Sequence, residues 1–152
     1  MPGHPGTALN GRPLIRIFLT LVSFLLTAAT HAQSTTGIDR AAYYKAIQQG
    51  KKELMDKELA LLQLAPPEAR QAFSGALIMR KAGTAGSPHQ KLKLFRQGHR
   101  DLEAAIKKDP ENVEYRFLRL IIQEHAPGIL GYRDNLEEDS EIIRNNYQKL
   151  PA

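Results

Sequence analysis

The chain has 152 residues, 42 % hydrophobic and 24 % charged, with a formal net charge of +5. That is chain enough for one domain but not two, and its balance is that of a globular protein, which excludes an extended disordered polymer. There is no cysteine, so no disulfide can brace the fold.

The N-terminus reads as a targeting segment. "MPGHPGTALNGRPLIR" carries Arg12 and Arg16 and no acid, "IFLTLVSFLLTAA" follows as an apolar core, and "THA" then "QS" supplies small residues. This order predicts a cleavable signal peptide over residues 1–32, cut between Ala32 and Gln33. Even counted from Leu14 to Ala29, across Arg16, the stretch is 16 residues long, shorter than the ~20 a spanning helix needs. No membrane span is therefore expected after cleavage. Without a cysteine after the apolar core there is no lipid attachment point, and no N-x-S/T acceptor for N-glycosylation occurs. The expected location is the bacterial periplasm or the medium. Removing residues 1–32, with two arginines and no acids, takes the formal charge from +5 to +3. So weak a bias gives no reason to expect nucleic acid, which needs a concentrated basic face.

Residues 33–38 read as a leader and residues 39–150 as a single helical domain. A first helix is predicted from Asp39 to Leu64, because Ile47, Leu54 and Leu61 recur every seven residues. Gly50 weakens its middle, and Ala65-Pro66-Pro67 ends it, since a residue before proline avoids the helical region. A second helix starts at the two prolines and runs to Ala82, with Ala69, Ala72, Phe73, Ala76 and Met79 on one face. Small residues at that spacing admit a close neighbour. The third starts at "SPHQ", with Ser87 as N-cap, Pro88 at the first helical position and Gln90 completing a capping box. Leu92, Phe95, Leu102, Ala105 and Ile106 form its apolar face, and Lys107 and Lys108 suit its C-terminal dipole.

"DPEN" predicts a fourth helix capped by Asp109, starting at Pro110 and running to Glu124. "DNLE" predicts a fifth, capped by Asp134 with Glu137 in the capping box, and with Leu136, Ile143 and Tyr147 on one face. No run alternates like a strand with hairpin signals. The predicted fold is all-α: a compact bundle of about five helices with short connections.

The stretch "LEAAIKKDPENVEYRFL" resembles the junction between two tetratricopeptide repeats. Ala105 and Ile106 stand where that repeat closes its second helix, Pro110 and Asn112 on its turn, and Tyr115 on the next helix. The resemblance covers one junction and implies helical-hairpin packing in the C-terminal half. Residues 91–139 also resemble a group of uncharacterised small exported helical proteins of Bacteroidetes-type bacteria. That resemblance implies export and a helical fold, and no activity.

On a helical wheel the fourth helix is apolar around most of its circumference, through Val113, Tyr115, Phe117, Leu118, Leu120, Ile121 and Ile122. Arg116, Arg119 and Gln123 fill the remaining stripe. A helix so apolar is expected to be buried, and buried guanidinium groups need partners. His99 interrupts the seam of the third helix, and Asp139 that of the fifth. The joint expectation is that Asp139 or Glu138 accepts from Arg116 or Arg119, with His99 nearby; a planar guanidinium fork can bond a carboxylate twice. The cluster is read either as an internal brace or as a ligand site for an external carboxylate or phosphate.

No metal site is expected, because His89 and His125 lack a second histidine at ligand spacing. The acidic run Asp134, Glu137, Glu138, Asp139, Glu141 lacks calcium-loop spacing. No cofactor motif and no catalytic constellation are recognisable. The "APGILGY" linker, residues 126–132, is apolar for a loop and is expected to pack on the core or to present a docking surface. Three functions follow: a non-catalytic module of the cell envelope that binds an envelope protein, a carrier of a small anion through Arg116 and Arg119, or an enzyme using His99 or His125 with Asp139.

Overall fold

The computed structural model describes residues 37–150, together with Met1 and Gly3. The predicted signal peptide, its cleavage point and residues 33–36 of the leader lie outside the described residues. Among the described residues the chain is all-α, packed as a compact bundle. Six α-helices follow one another: α1 Arg40–Gln49, α2 Lys52–Leu61, α3 Pro67–Ala82, α4 Pro88–Lys108, α5 Val113–His125 and α6 Leu136–Asn146. Short 3-10 turns sit at Leu62–Leu64, Gly128–Leu130 and Tyr147–Lys149. None of the described helices is long and apolar enough to cross a membrane.

The first predicted helix is two helices. Gly50 takes the left-handed conformation, φ +62°, and its N–H closes α1 on Ala46 O at 3.0 Å. Glycine adopts that conformation without the clash a Cβ would bring. Arg80 of α3 reinforces the break, with its Nε donating to Ile47 O at 2.9 Å and its guanidinium lying against Gly50. Asp39 caps α1 by accepting from Ala42 N at 3.0 Å.

Helix α3 occupies the centre and packs on α2, α4 and α5. It buries Ala72, Phe73, Gly75, Ala76, Leu77, Met79 and Ala82. From α1, Tyr43 sets its ring edge-on to Phe73 at 4.9 Å and donates its hydroxyl to Phe73 O at 2.7 Å. Met55, Leu102 and Leu118 complete the fully buried core. Each such side chain contributes roughly 1.5–3 kcal/mol through the apolar surface it removes from water.

The α3–α4 crossing is set by two glycines. A Cβ on Gly75 would lie 2.7 Å from Leu102 N and 2.8 Å from Gly98 O, and a Cβ on Gly98 would run into Gly75 O. The two backbones therefore touch where neither helix has a side chain. The small-residue face predicted on α3 includes the flanking alanines; the point of closest approach is Gly75.

Helix starts follow the expected chemistry at α4 and differ at α5 and α6. Ser87 accepts from Gln90 N at 3.2 Å, with Pro88 in the first turn, while the Gln90 side chain does not return the bond that would complete the capping box. Asp109 does not cap α5. It closes α4, its N–H bonding Ala105 O at 3.1 Å, and its carboxylate accepts from Asn112 Nδ2 at 2.9 Å. Asn112 is the cap of α5, accepting from Tyr115 N at 3.2 Å, so this helix begins three residues after the expected Pro110. At α6 the Asp134–Glu137 capping box is not formed; the helix begins at Leu136, after Asn135, without a side-chain cap. Glu138 and Asp139 of its first turn are directed at α5 instead.

Candidate functional site

Helix α5 turns toward the protein the face expected to be its polar stripe. Arg116, Arg119 and Gln123 are buried, together with Val113, Tyr115, Leu118 and Ile122. Phe117, Leu120 and Ile121, expected on the core face, are half-buried. The polar stripe wins because α4 and α6 bring carboxylates to it, so the guanidinium groups enter the interior already paired.

The ionic cluster joins three helices and the linker. Arg119 forks onto Asp139, Nε to Oδ2 at 2.6 Å and Nη2 to Oδ1 at 2.7 Å, and its Nη1 reaches Glu103 Oε2 at 2.9 Å. Arg116 Nη1 bridges Glu138 Oε1 at 2.9 Å and Asp139 Oδ1 at 3.1 Å, while its Nε donates to Pro110 O at 3.1 Å. Tyr132, from the apolar linker, donates its hydroxyl to Glu103 Oε1 at 2.8 Å. Asp139 has no exposed surface, and Arg119 is 3 % exposed.

Burial opposes the charge on Arg119, but its bonds to Asp139 and the nearby Glu103 charge outweigh that, so its pKa lies above the ordinary arginine value. The Asn135 amide, with help from Arg116, holds Glu138 below the usual glutamate range. Burial, and then the charge of Glu103, push the Tyr132 phenol up.

Two guanidinium groups thus face three carboxylates. The cluster carries a formal surplus of negative charge, and every nitrogen of Arg119 is taken. An external anion would have to displace Asp139 and approach against Glu103 and Glu138. The geometry therefore offers no opening for the anion site once expected at Arg116 and Arg119.

Neither histidine is brought to Asp139. His99 is partly exposed, stacked along Phe95 and edge-on to Tyr132, with Nε2 4.0 Å from Glu103 Oε1. That exceeds hydrogen-bond reach, and both Glu103 oxygens already accept from Arg119 and Tyr132. His125 places Nδ1 2.8 Å from Ile121 O on its own helix. An acid–base pair of either histidine with Asp139 is therefore not assembled. Among the described residues no group of acids and histidines is arranged to hold a metal ion.

A second ion pair escaped the sequence reading. Arg40 of α1 forks onto Glu114 at 2.7 and 2.8 Å, and Tyr44 donates to the same carboxylate at 3.2 Å. Desolvation, then the Glu114 charge, raise the Tyr44 phenol above its ordinary value. Glu114 stands in the first turn of α5, where an acid suits the dipole at a solvated end; nothing local announces a partner 74 residues away.

A further feature is an apolar cleft of about 320 Å³ where α3, α4, the end of α5 and the linker meet. Met79, Leu92, Phe95, Ile122 and Leu130 form its walls. Ile129, at its edge, is 95 % exposed. Its charged or titratable lining is Arg80, Lys91 and His125, with no acid. Comparison of the chain with protein-family models, with characterised proteins and with solved structures finds no match.

Proposed function

We propose that the protein is a non-catalytic helical module of the bacterial cell envelope that binds a protein partner, exported there by the signal peptide of residues 1–32. The observation that carries this reading is the apolar cleft with Ile129 held out beside it. An isoleucine almost wholly in water beside a concave apolar wall is a surface feature that association would bury. The tetratricopeptide-like junction at Ala105–Tyr115 accords with a protein that binds through packed helices.

The ion cluster supports the same reading from the other side. Its acids and guanidinium groups are spent on each other, as a brace that fixes α6 against α5. An enzyme would need an acid or base free to exchange a proton with a substrate, and Glu103 and Asp139 are both fully engaged.

The test is in the cell. A photo-crosslinking side chain at position 129, in the exported protein, should yield a discrete adduct that contains a second protein. Sequencing the N-terminus of the exported form should start at Gln33. Absence of any protein adduct from position 129 counts against the partner reading; retention of residues 1–32 counts against export by a cleaved signal.

A further inference from the structure

The cleft's surroundings indicate what kind of segment it takes. Between Pro88 and Arg100 the sequence of α4 contains Lys91, Lys93, Arg96 and Arg100 and no acid. All four are exposed. Among the described residues no carboxylate pairs with any of them. Arg40, Arg116 and Arg119, by contrast, are paired, the first with Glu114 and the other two with the α6 acids. Lys93, Arg96 and Arg100 thus form a strip of unpaired positive charge along one side of α4, and Arg96 of this strip lines the groove that adjoins the cleft, with Leu92, Phe95 and Ile129. Lys91, about 200° round the helix from Lys93, stands in the lining of the cleft itself with Leu92 and Phe95. The other two titratable groups of the cleft, Arg80 and His125, add no negative charge.

We propose that the cleft docks an acidic amphipathic segment of the partner protein, with an apolar side chain seated between α3, α4 and Ile129 and carboxylates laid against Lys91 and Arg96 on either side of Leu92. This rests on the partner reading above and adds the chemistry of the partner. An amphipathic helix laid into an apolar groove, with complementary charge along the groove's edge, is a recurrent mode of peptide recognition. The charges steer the encounter and reject a basic competitor, while the apolar contact holds the complex. A lipid surface fits less well. Insertion into a bilayer favours a convex apolar face, whereas here the apolar area is concave and only Ile129 stands clear of it.

Two synthetic amphipathic peptides test this, sharing one apolar stripe and carrying glutamates or lysines on their flanks. The acidic peptide should bind the purified protein at least about tenfold more tightly than the basic one, with the NMR changes centred on Leu92, Phe95, Ile122 and Ile129. The triple variant Lys91→Glu, Lys93→Glu, Arg96→Glu should invert the preference, and Ile129→Asp should weaken the acidic peptide. All four positions are exposed, and circular dichroism verifies that the variants fold. Equal affinity, no affinity for either peptide, or a preference unmoved by charge reversal overturns the proposal. So does tighter binding to phosphatidylglycerol vesicles or to dodecanoate than to the acidic peptide, which would assign the strip to lipid. The position-129 crosslink separates the two ideas. An adduct that survives the triple charge reversal leaves the module reading standing and removes the acidic partner; no adduct in either background removes both.

Discussion

Arg119 and Asp139 meet through two parallel hydrogen bonds, at 2.6 and 2.7 Å, where Asp139 is fully buried and Arg119 nearly so. Asp139 is also the only fully buried side chain of α6; Leu136, Ile142 and Ile143 are half-buried. Helix α6 is therefore pinned by charge at its first turn and by partial apolar contact along its length. Removing one partner of a buried pair leaves the other charge uncompensated, a loss of roughly 3–5 kcal/mol. The two partners are not equivalent. Arg119→Ala leaves Asp139 with Arg116, whereas Asp139→Ala leaves two adjacent guanidinium groups to Glu103 and Glu138. Urea unfolding should show Asp139→Ala as the costlier change, with the double variant falling short of the sum of the singles by about 1–3 kcal/mol. Additive losses would mean that the fork does not couple the helices.

The Gly75–Gly98 crossing gives a sharper steric prediction. A methyl group at either position meets backbone, which cannot rotate away, so the helices must separate. Gly98→Ala should destabilise by about 1–3 kcal/mol or more, the range for overpacking, although alanine is the better helix former. A Gly98→Ala protein as stable as the parent in urea would contradict the close contact.

Much of the fold was legible because helix punctuation is local. Ser87-Pro88, the Pro66-Pro67 pair and Gly83 mark boundaries that the structure respects. Gly50 was visible as a weak point, but periodicity through Ile47, Leu54 and Leu61 runs straight across it; the break depends on Arg80 reaching Ile47 O from another helix. Starts of α5 and α6 were misplaced for a related reason. Asp109 and Asn112 are both good caps, and the sequence does not say which carboxamide or carboxylate will face an open helix end. For the site, Arg116, Arg119, Glu138 and Asp139 stood out because charge on an apolar seam demands a partner. Glu103 and Tyr132 did not, since a glutamate on a charged helix and a tyrosine in a loop are ordinary until the fold brings them together. Of the cleft only the apolar linker 126–132 was visible, because three helices contribute the rest of its walls.

Glu58 should report on pH. It is 5 % exposed, and burial lifts its carboxyl above the ordinary glutamate value, with Lys57 opposing. A raised acid pKa means that the folded state holds its proton more firmly than the unfolded chain. The ionised carboxylate therefore costs stability at neutral pH, and that cost disappears as pH falls below the ordinary glutamate value. Glu58→Gln should raise the Tm at pH 7, and the gain should shrink toward zero in acid. A gain that is constant with pH would assign the effect to packing and not to charge.

Gln123 continues the stripe of Arg116 and Arg119 into the interior, and there the pairing stops. It is fully buried, and neither Nε2 nor Oε1 has a hydrogen-bond partner among the described residues. A buried amide without partners loses its hydration for nothing, at a cost of about 1–3 kcal/mol. An apolar side chain of similar length escapes that cost, so Gln123→Met should raise stability by about 1 kcal/mol or more. The same change made at Arg119 would strip a charge from Asp139 and Glu103, and should lower stability. Opposite signs at two positions of one buried stripe would separate a polar group that the fold uses from one that it merely tolerates. If Gln123→Met is instead destabilising in urea, the amide is satisfied in solution by a group that enters the α5 interior, and a hydrogen-exchange comparison of the two proteins should localise the loss to α5 and its neighbours.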